Sequence, residues 1–356
     1  MKSLFLLSAA LVAAPFLRAQ DETGAPQMPN PKTEAHEVLA SLAGHWRTSG
    51  HMAAMPGVPG MEEAKDMTGS EHWELVCNGL WLKATTECVC DGEKTQGLWL
   101  QGYDPFEQKY TGVWASGGDE GVGMMTGTYD KTSKTFSFKG SSPMGEFRSE
   151  FVCSSADKSV ETCWMKGEDG KEIECMKITR ERIAAAAPSN ASAAIAKAGD
   201  AAGEGSDELA PFAQSVGEWR AEMTMPMPGQ DTVKENATEH VVPICGGKWF
   251  WSDFNGSMMG APFEGHALSG YDAASKQYVS FWIDSMSPTC MKTTGSYDAD
   301  KKQMTLTGAS RDEQGRPIKV REVSTQSNAD TRELHMTFTG PEGAQEMNIS
   351  YRRAKH

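Results

Sequence analysis

The sequence predicts an all-β fold: two tandem antiparallel β-barrels of about ten strands, each preceded by a short helix. An internal repeat, a run of short alternating segments and a low-bulk spacer between the halves carry that prediction. Trp81 and Trp249, Tyr103 and Tyr271, and Tyr129 and Tyr297 are each 168 residues apart, so Gly79 to Gly140 overlays Gly247 to Gly308 without a gap. Cys77 and Cys245 obey the same offset. Gly44-His45-Trp46 answers Gly217-Glu218-Trp219 at an offset of 173, as Gly167 answers Gly340. Length differences are confined to two connections, where one shared fold tolerates them.

Taken in order, residues 1–19 read as a secretory signal peptide. Lys2 precedes an apolar run from Leu4 to Leu17, too short to span a bilayer, and the small residue Ala19 precedes the expected cut. Residues 20–32, with three prolines, read as a disordered leader. Residues 33–183 form the first barrel domain, the Ala/Gly/Ser-rich stretch 184–206 a linker, and residues 207–356 the second barrel domain. The mature chain is therefore expected outside the cytoplasm, periplasmic or secreted, and no later stretch is apolar enough to cross a membrane. The formal charge of −14 becomes more negative once Lys2 and Arg18 are lost, and an acidic chain of this kind repels phosphate backbones, which argues against nucleic acid as a partner.

Within each copy a short amphipathic helix (His36 to Ala43; Glu208 to Ser215) precedes the strands. The opening strand alternates cleanly: Trp219, Ala221, Met223, Met225 and Met227 share one face, while Glu218, Arg220, Glu222 and Thr224 share the other. The first copy repeats this with Trp46 and Met52 inward and His45 and Arg47 outward. Met347, Ile349 and Tyr351 give the closing strand an apolar face as well. Four turns share a signature, Tyr103-Asp104, Tyr129-Asp130, Tyr271-Asp272 and Tyr297-Asp298, each followed by Lys109, Lys134, Lys276 or Lys302. An Asp opens such a hairpin by accepting hydrogen bonds from the backbone just after it, so these motifs are read as structural. A sandwich is the competing architecture, and an outer-membrane barrel is disfavoured because the segments are short and lack aromatic girdles.

The eight cysteines, six of them in the first half, suggest disulfides in an oxidising compartment. Cys153 and Cys163 flank the turn Ala156-Asp157-Lys158-Ser159, which predicts that they face each other across a hairpin. Cys88-Val89-Cys90 lacks a second ligand pair at zinc spacing, so no metal site is assigned.

Gly-x-Trp on the first strand, the Gly-Tyr-Asp-x3-Lys hairpins, Trp282-Ile283-Asp284-Ser285-Met286 and the late Lys319-Val320-Arg321-Glu322 resemble the bacterial "domain of unknown function 1579" family. The second copy matches from about Glu208 to Arg353; the first departs where Ser116-Gly117-Gly118 replaces Asp284-Ser285-Met286. Gly-x-Trp with Arg352 and Arg353 ending the last strand also looks like the lipocalin or calycin barrels, whose Trp closes one end beneath an Arg. The first resemblance implies a fold and no activity.

The inward Met row could bind Cu(I) through thioethers, but Met filling irregular apolar space is the preferred reading, because no His joins the row. Asp284, flanked by Trp282 and Met286, would orient a ligand if its face were internal, although Val279, Phe281 and Ile283 on the opposite face look equally like core. No nucleophile elbow, zinc helix, phosphate loop, dinucleotide fingerprint or cofactor signature is present, so catalysis has no support. The expectation is a non-enzymatic exported protein holding a small apolar or amphipathic ligand, mainly in the second barrel. Its lining residues would be Trp219, Met223, Met225, Met227, Trp282, Asp284 and Met286, with Trp46 and Met52 in the first barrel. The alternatives are an envelope interaction module with solid cores, partnered by an envelope protein, and an enzyme using Asp284.

Overall fold

A computed structural model describes residues 31–55, 62–118, 121–167, 170–184, 207–226, 231–312 and 314–355. The expected signal peptide, nearly all of the leader and linker, and Met227 lie outside the described residues. Helix α1 (Glu34–Leu42) precedes β1 (Gly44–Met52), β2 (Lys65–Val76), β3 (Trp81–Cys90), β4 (Glu93–Asp104) and β5 (Lys109–Ser116). Then come β6 (Val122–Asp130), β7 (Thr135–Ser142), β8 (Gly145–Ser155), β9 (Lys158–Lys166) and β10 (Glu172–Ile183). A 3-10 turn (Asp207–Leu209) and α2 (Ala210–Ala213) open the second half. Its strands are β11 (Gly217–Met225), β12 (Val233–Ile244), β13 (Trp249–Met258), β14 (Ala261–Asp272) and β15 (Gln277–Asp284), then β16 (Met291–Asp298), β17 (Gln303–Arg311), β18 (Pro317–Asn328), β19 (Thr331–Gly340) and β20 (Gly343–Arg353).

Each half is a closed ten-stranded antiparallel meander, with β1 pairing both β2 and β10, and β11 pairing both β12 and β20. Closure leaves no strand edge to aggregate, and alternation then sends every second side chain inward. The turn chemistry is as the motifs require. Asp104, Asp130 and Asp272 each accept two backbone N–H bonds from the residues two and three ahead, and Asp298 accepts one from Lys301. Lys134, Lys276 and Lys302 take the left-handed position, whereas in the first hairpin Gln108 does so and Lys109 begins β5.

One end of each barrel is closed in the same way. The Trp46 indole donates to Leu42 O at 3.0 Å beneath the Arg182 guanidinium, 4.2 Å from the ring centre. Trp219 donates to Ser215 O at 2.7 Å beneath Arg353, 4.3 Å away, which itself donates to Val216 O at 2.7 Å. Helix carbonyls, an indole and a guanidinium thereby satisfy one another where the chain enters the barrel.

The barrels lie side by side, with the outer faces of β3–β5 against those of β13–β15. Leu98, Leu100, Val113 and Ala115 from the first meet Leu268, Val279, Phe281 and Ile283 from the second in one buried cluster with Trp81 and Trp249. The apolar outer face of β15 is thus explained: it is buried against the neighbouring barrel, while the face bearing Trp282 and Asp284 points inward. Trp81 and Trp249 each lie flat on a glycine of the next strand. A Cβ on Gly102 would stand 2.6 Å from the Trp81 ring, and one on Gly270 2.5 Å from Trp249, so only glycine fits. Polar links join the rim of the contact, including Asn78 N to Glu264 Oε2 at 3.2 Å and an ion pair between Arg311 and Glu107. The arrangement is head to tail. The β4–β5 hairpin of the first barrel reaches the β17–β18 hairpin of the second, where Phe106 covers Gly315, and Gly121 reaches Asp272 in return.

The expected Cys153 to Cys163 bridge is overturned. All eight cysteines are free thiols. In the β8–β9 hairpin Cys153 pairs with Ser159 and Cys163 with Ser149, so the two sulfurs are offset by four residues along the strand, beyond bridging range. Cys163 instead packs with Cys175, Met55 and Met165.

Candidate functional site

The second barrel encloses a cavity of about 810 Å³, a size at which barrels hold one small ligand. The sequence repeat explains why this barrel is open and its twin is filled. Register equates Phe136, Phe138, Phe147 and Phe151 of β7–β8 with Met304, Leu306, Val320 and Ser324 of β17–β18. It also equates Trp73 with Val241 and Trp99 with Ala267. In the first barrel these aromatics interlock, with Phe136 and Phe138 stacked at 5.9 Å and Trp99 edge-on to Phe138 at 6.2 Å. The second barrel recovers bulk elsewhere, as Phe250, Phe254 and Met223 stand where the first has Leu82, Thr86 and Gly50. Space therefore opens on the β17–β18 side.

Met223, Met225, Trp282, Asp284 and Met286 line this cavity. Trp219 does not. It is 1 % exposed, part of the closed end described above. Trp46 plays the equivalent part in the first barrel, and Met52 lies where β1 meets the start of β2 and β10, far from the second cavity. Phe212 closes the floor by stacking on Phe250 at 5.5 Å and packing against Tyr278 at 5.8 Å. Pro105 and Phe106 of the first barrel stand at the opposite, open end. The cavity mouth is thus built by both halves.

Asp284 is half-buried, and desolvation pushes its carboxyl up from the usual carboxylate range against three hydrogen bonds that favour the charged form. Those bonds come from Met286 N and Ser287 N at 2.8 Å and the Trp282 indole at 2.9 Å. They make Asp284 a staple of the β15–β16 turn that also fixes the Trp282 ring against the cavity. A cluster at the floor end joins Glu239 to Arg332, with Ser252 donating to Glu239 at 2.6 Å and the Tyr351 ring 3.9 Å from the guanidinium. The first barrel has its own buried ion group at the matching level. There Arg180 lies 2.8 Å from Glu71 and 3.0 Å from Glu161, on a strand position that the second barrel fills with Tyr351.

Glu322 is a further acid of the cavity, one that no motif in the sequence marks. It alternates with Ile318, Val320 and Ser324 on the inward face of β18, a charge on an apolar stripe, and that was the available signal. Ser149 is its counterpart in the first barrel. Burial pushes the Glu322 carboxyl up to about 7.

The chain matches the family described as "protein of unknown function (DUF1579)" twice, over residues 31–182 and 205–353. It belongs to the DUF1579 family. Its two DUF1579 copies correspond to the two barrels. No curated protein matches the chain. Among solved structures it is similar to an S-type phycobiliprotein lyase from Guillardia theta at 12% identity and a TM-score of 0.30, covering 43% of this chain and 99% of that one. A DUF3598 protein of unknown function from Nostoc punctiforme follows at 9% identity and a TM-score of 0.23, covering 91% of this chain and all of that one (100%). A putative AttH from Nitrosomonas europaea gives 9% identity and 0.14, covering 86% and 91%.

Proposed function

We propose that this protein is a non-enzymatic carrier or sensor that holds one small apolar or amphipathic molecule in its second barrel. The observation that supports this is the contrast between twins: the same register yields an aromatic-filled interior in one and about 810 Å³ of space lined by Met223, Met225, Phe254, Trp282 and Met304 in the other. Flexible thioethers suit a pocket that must close around irregular apolar shapes. A fold needs no such space for its own stability, since unfilled interior volume costs roughly 24 cal/mol per Å³. The first barrel acts as scaffold, burying the outer face of β13–β15 and contributing Pro105 and Phe106 to the mouth. The signal-peptide pattern of residues 1–19 supports export, and N-terminal sequencing of the mature chain beginning near Gln20 is the expected result.

Native mass spectrometry of the full chain against long-chain alcohols, amines and acids tests the reading. One adduct per chain, with a change in Trp282 fluorescence, is the predicted outcome. No adduct with any hydrophobe and no spectral response removes it.

A further inference from the structure

The cavity carries an acid with no counter-charge. Glu322 sits midway along β18, with Leu306 of β17 and Met336 of β19 as cross-strand neighbours, and among the described residues it forms no salt bridge. Its side chain lines the cavity, and burial among the surrounding protein atoms disfavours its charged form. A carboxyl in such surroundings is costly unless its site is completed by something that arrives later. We propose that the molecule held in the second barrel is a cationic amphiphile, an apolar body bearing a protonated amine that pairs with Glu322. This inference rests on the ligand-binding reading above and names the chemistry of its ligand.

The other charged groups that face the interior are already engaged or distant. Arg332 on β19 is taken by Glu239 of β12, and its strand position pairs with Gln326, four residues along β18 from Glu322. Asp284 on β15 is held by two backbone amides and an indole. Tyr351 on β20 is a neutral phenol against Arg332. At the mouth Arg316 pairs with Asp312 and Glu342, and Arg311 with Glu107 of the first barrel; Lys302 stands at the floor. None of these supplies a cation to Glu322, and the acidic surface of the whole chain draws cations toward the mouth. In the first barrel the same position is Ser149, and the space in front of it is filled by Phe138 and Phe151.

Titration of dodecylamine, dodecanol and dodecanoate into the full chain, followed by calorimetry and tryptophan fluorescence, separates the readings. At pH 8 Glu322 is ionised and the amine should bind at least tenfold tighter than the alcohol, with the acid weakest. At pH 5.5 the carboxyl is protonated while the amine stays charged, so the tenfold preference should vanish. E322Q should bring the amine-to-alcohol ratio at pH 8 close to one. Equal binding of amine and alcohol at pH 8 overturns this inference while leaving the cavity reading in place. Failure of all three probes to bind overturns both.

Discussion

The two barrels share strand count, register, turn chemistry and the Trp-under-Arg closure, yet one interior is filled with rings and the other is hollow. A handful of positions makes the difference. Exchanging Trp73, Trp99, Phe136, Phe138, Phe147 and Phe151 for Val241, Ala267, Met304, Leu306, Val320 and Ser324 removes aromatic volume without disturbing a single strand pairing. Barrel geometry is therefore set by the backbone and the outward face, and the interior is free to be core or container. The same split appears on the outside. Strands β3–β5 and β13–β15 carry apolar outer faces because each covers the other, while the outer faces of β1 and β11 stay polar.

The largest effect that would sharpen this contrast comes from truncating the filled barrel. Trp99→Ala or Phe136→Ala should lower stability by about 3–5 kcal/mol, measured by denaturant unfolding, whereas Met304→Ala at the matching hollow site should cost less, about 2 kcal/mol, the low end of the range for methionine. Equal costs at both sites would mean that the second interior is packed as tightly as the first. Next comes Glu322. Because its folded carboxyl titrates near 7 rather than the ordinary 4.5, the folded state loses up to roughly 3 kcal/mol relative to the unfolded chain as pH rises from 4.5 through 7. E322Q should therefore unfold at higher denaturant than the parent at pH 8 and at nearly the same concentration at pH 4. A parent as stable as E322Q at pH 8 would show that Glu322 is not confined.

Gly270→Ala drives a methyl into the Trp249 ring at the barrel–barrel contact and should cost about 1–3 kcal/mol, as should Gly102→Ala against Trp81. The two substitutions report on one symmetric interface, so a large cost in one and none in the other would break the pairing. The smallest effect belongs to His266, which lies 2.8 Å from Asp253 and 3.0 Å from Glu264 at that interface. Burial alone would lower its pKa, but hydrogen bonds to the two carboxylates outweigh it and raise the value above 6.5. The charged ring thus stabilises the fold fully below 6.5, and the contribution is lost as pH rises through the raised value. His266→Asn should cost about 1–2 kcal/mol at pH 6 and less at pH 9.

The repeat, the barrel class and the inward Trp and Met faces were legible because they depend on local alternation and on matching positions in one chain. Met223 and Met225 point inward for that reason alone. What lies across a barrel is set by closure and shear, which a linear pattern does not encode. Hence local alternation does not pick out Glu322 or the Glu239–Arg332 pair, and it assigns Trp219 to the lining although that residue belongs to the closed end. The ambiguity at β15, apolar on one face and Trp-Asp on the other, had no local solution either, since it took a second barrel to bury Val279, Phe281 and Ile283. The cysteine pairing failed for a related reason. The turn is the tight pair Ala156-Asp157, well ahead of the midpoint between the two cysteines, so Cys153 falls opposite Ser159 and not Cys163.

The most direct test of the central claim is to give the second barrel the first barrel's filling. Ala267→Trp with Ser324→Phe restores two of the rings found at Trp99 and Phe151, and titration of dodecanol into this double variant and its parent reads the result. The parent should take up one molecule per chain and the folded variant at least a hundredfold less; equal uptake by the two proteins would contradict the claim that the hollow interior is the binding site.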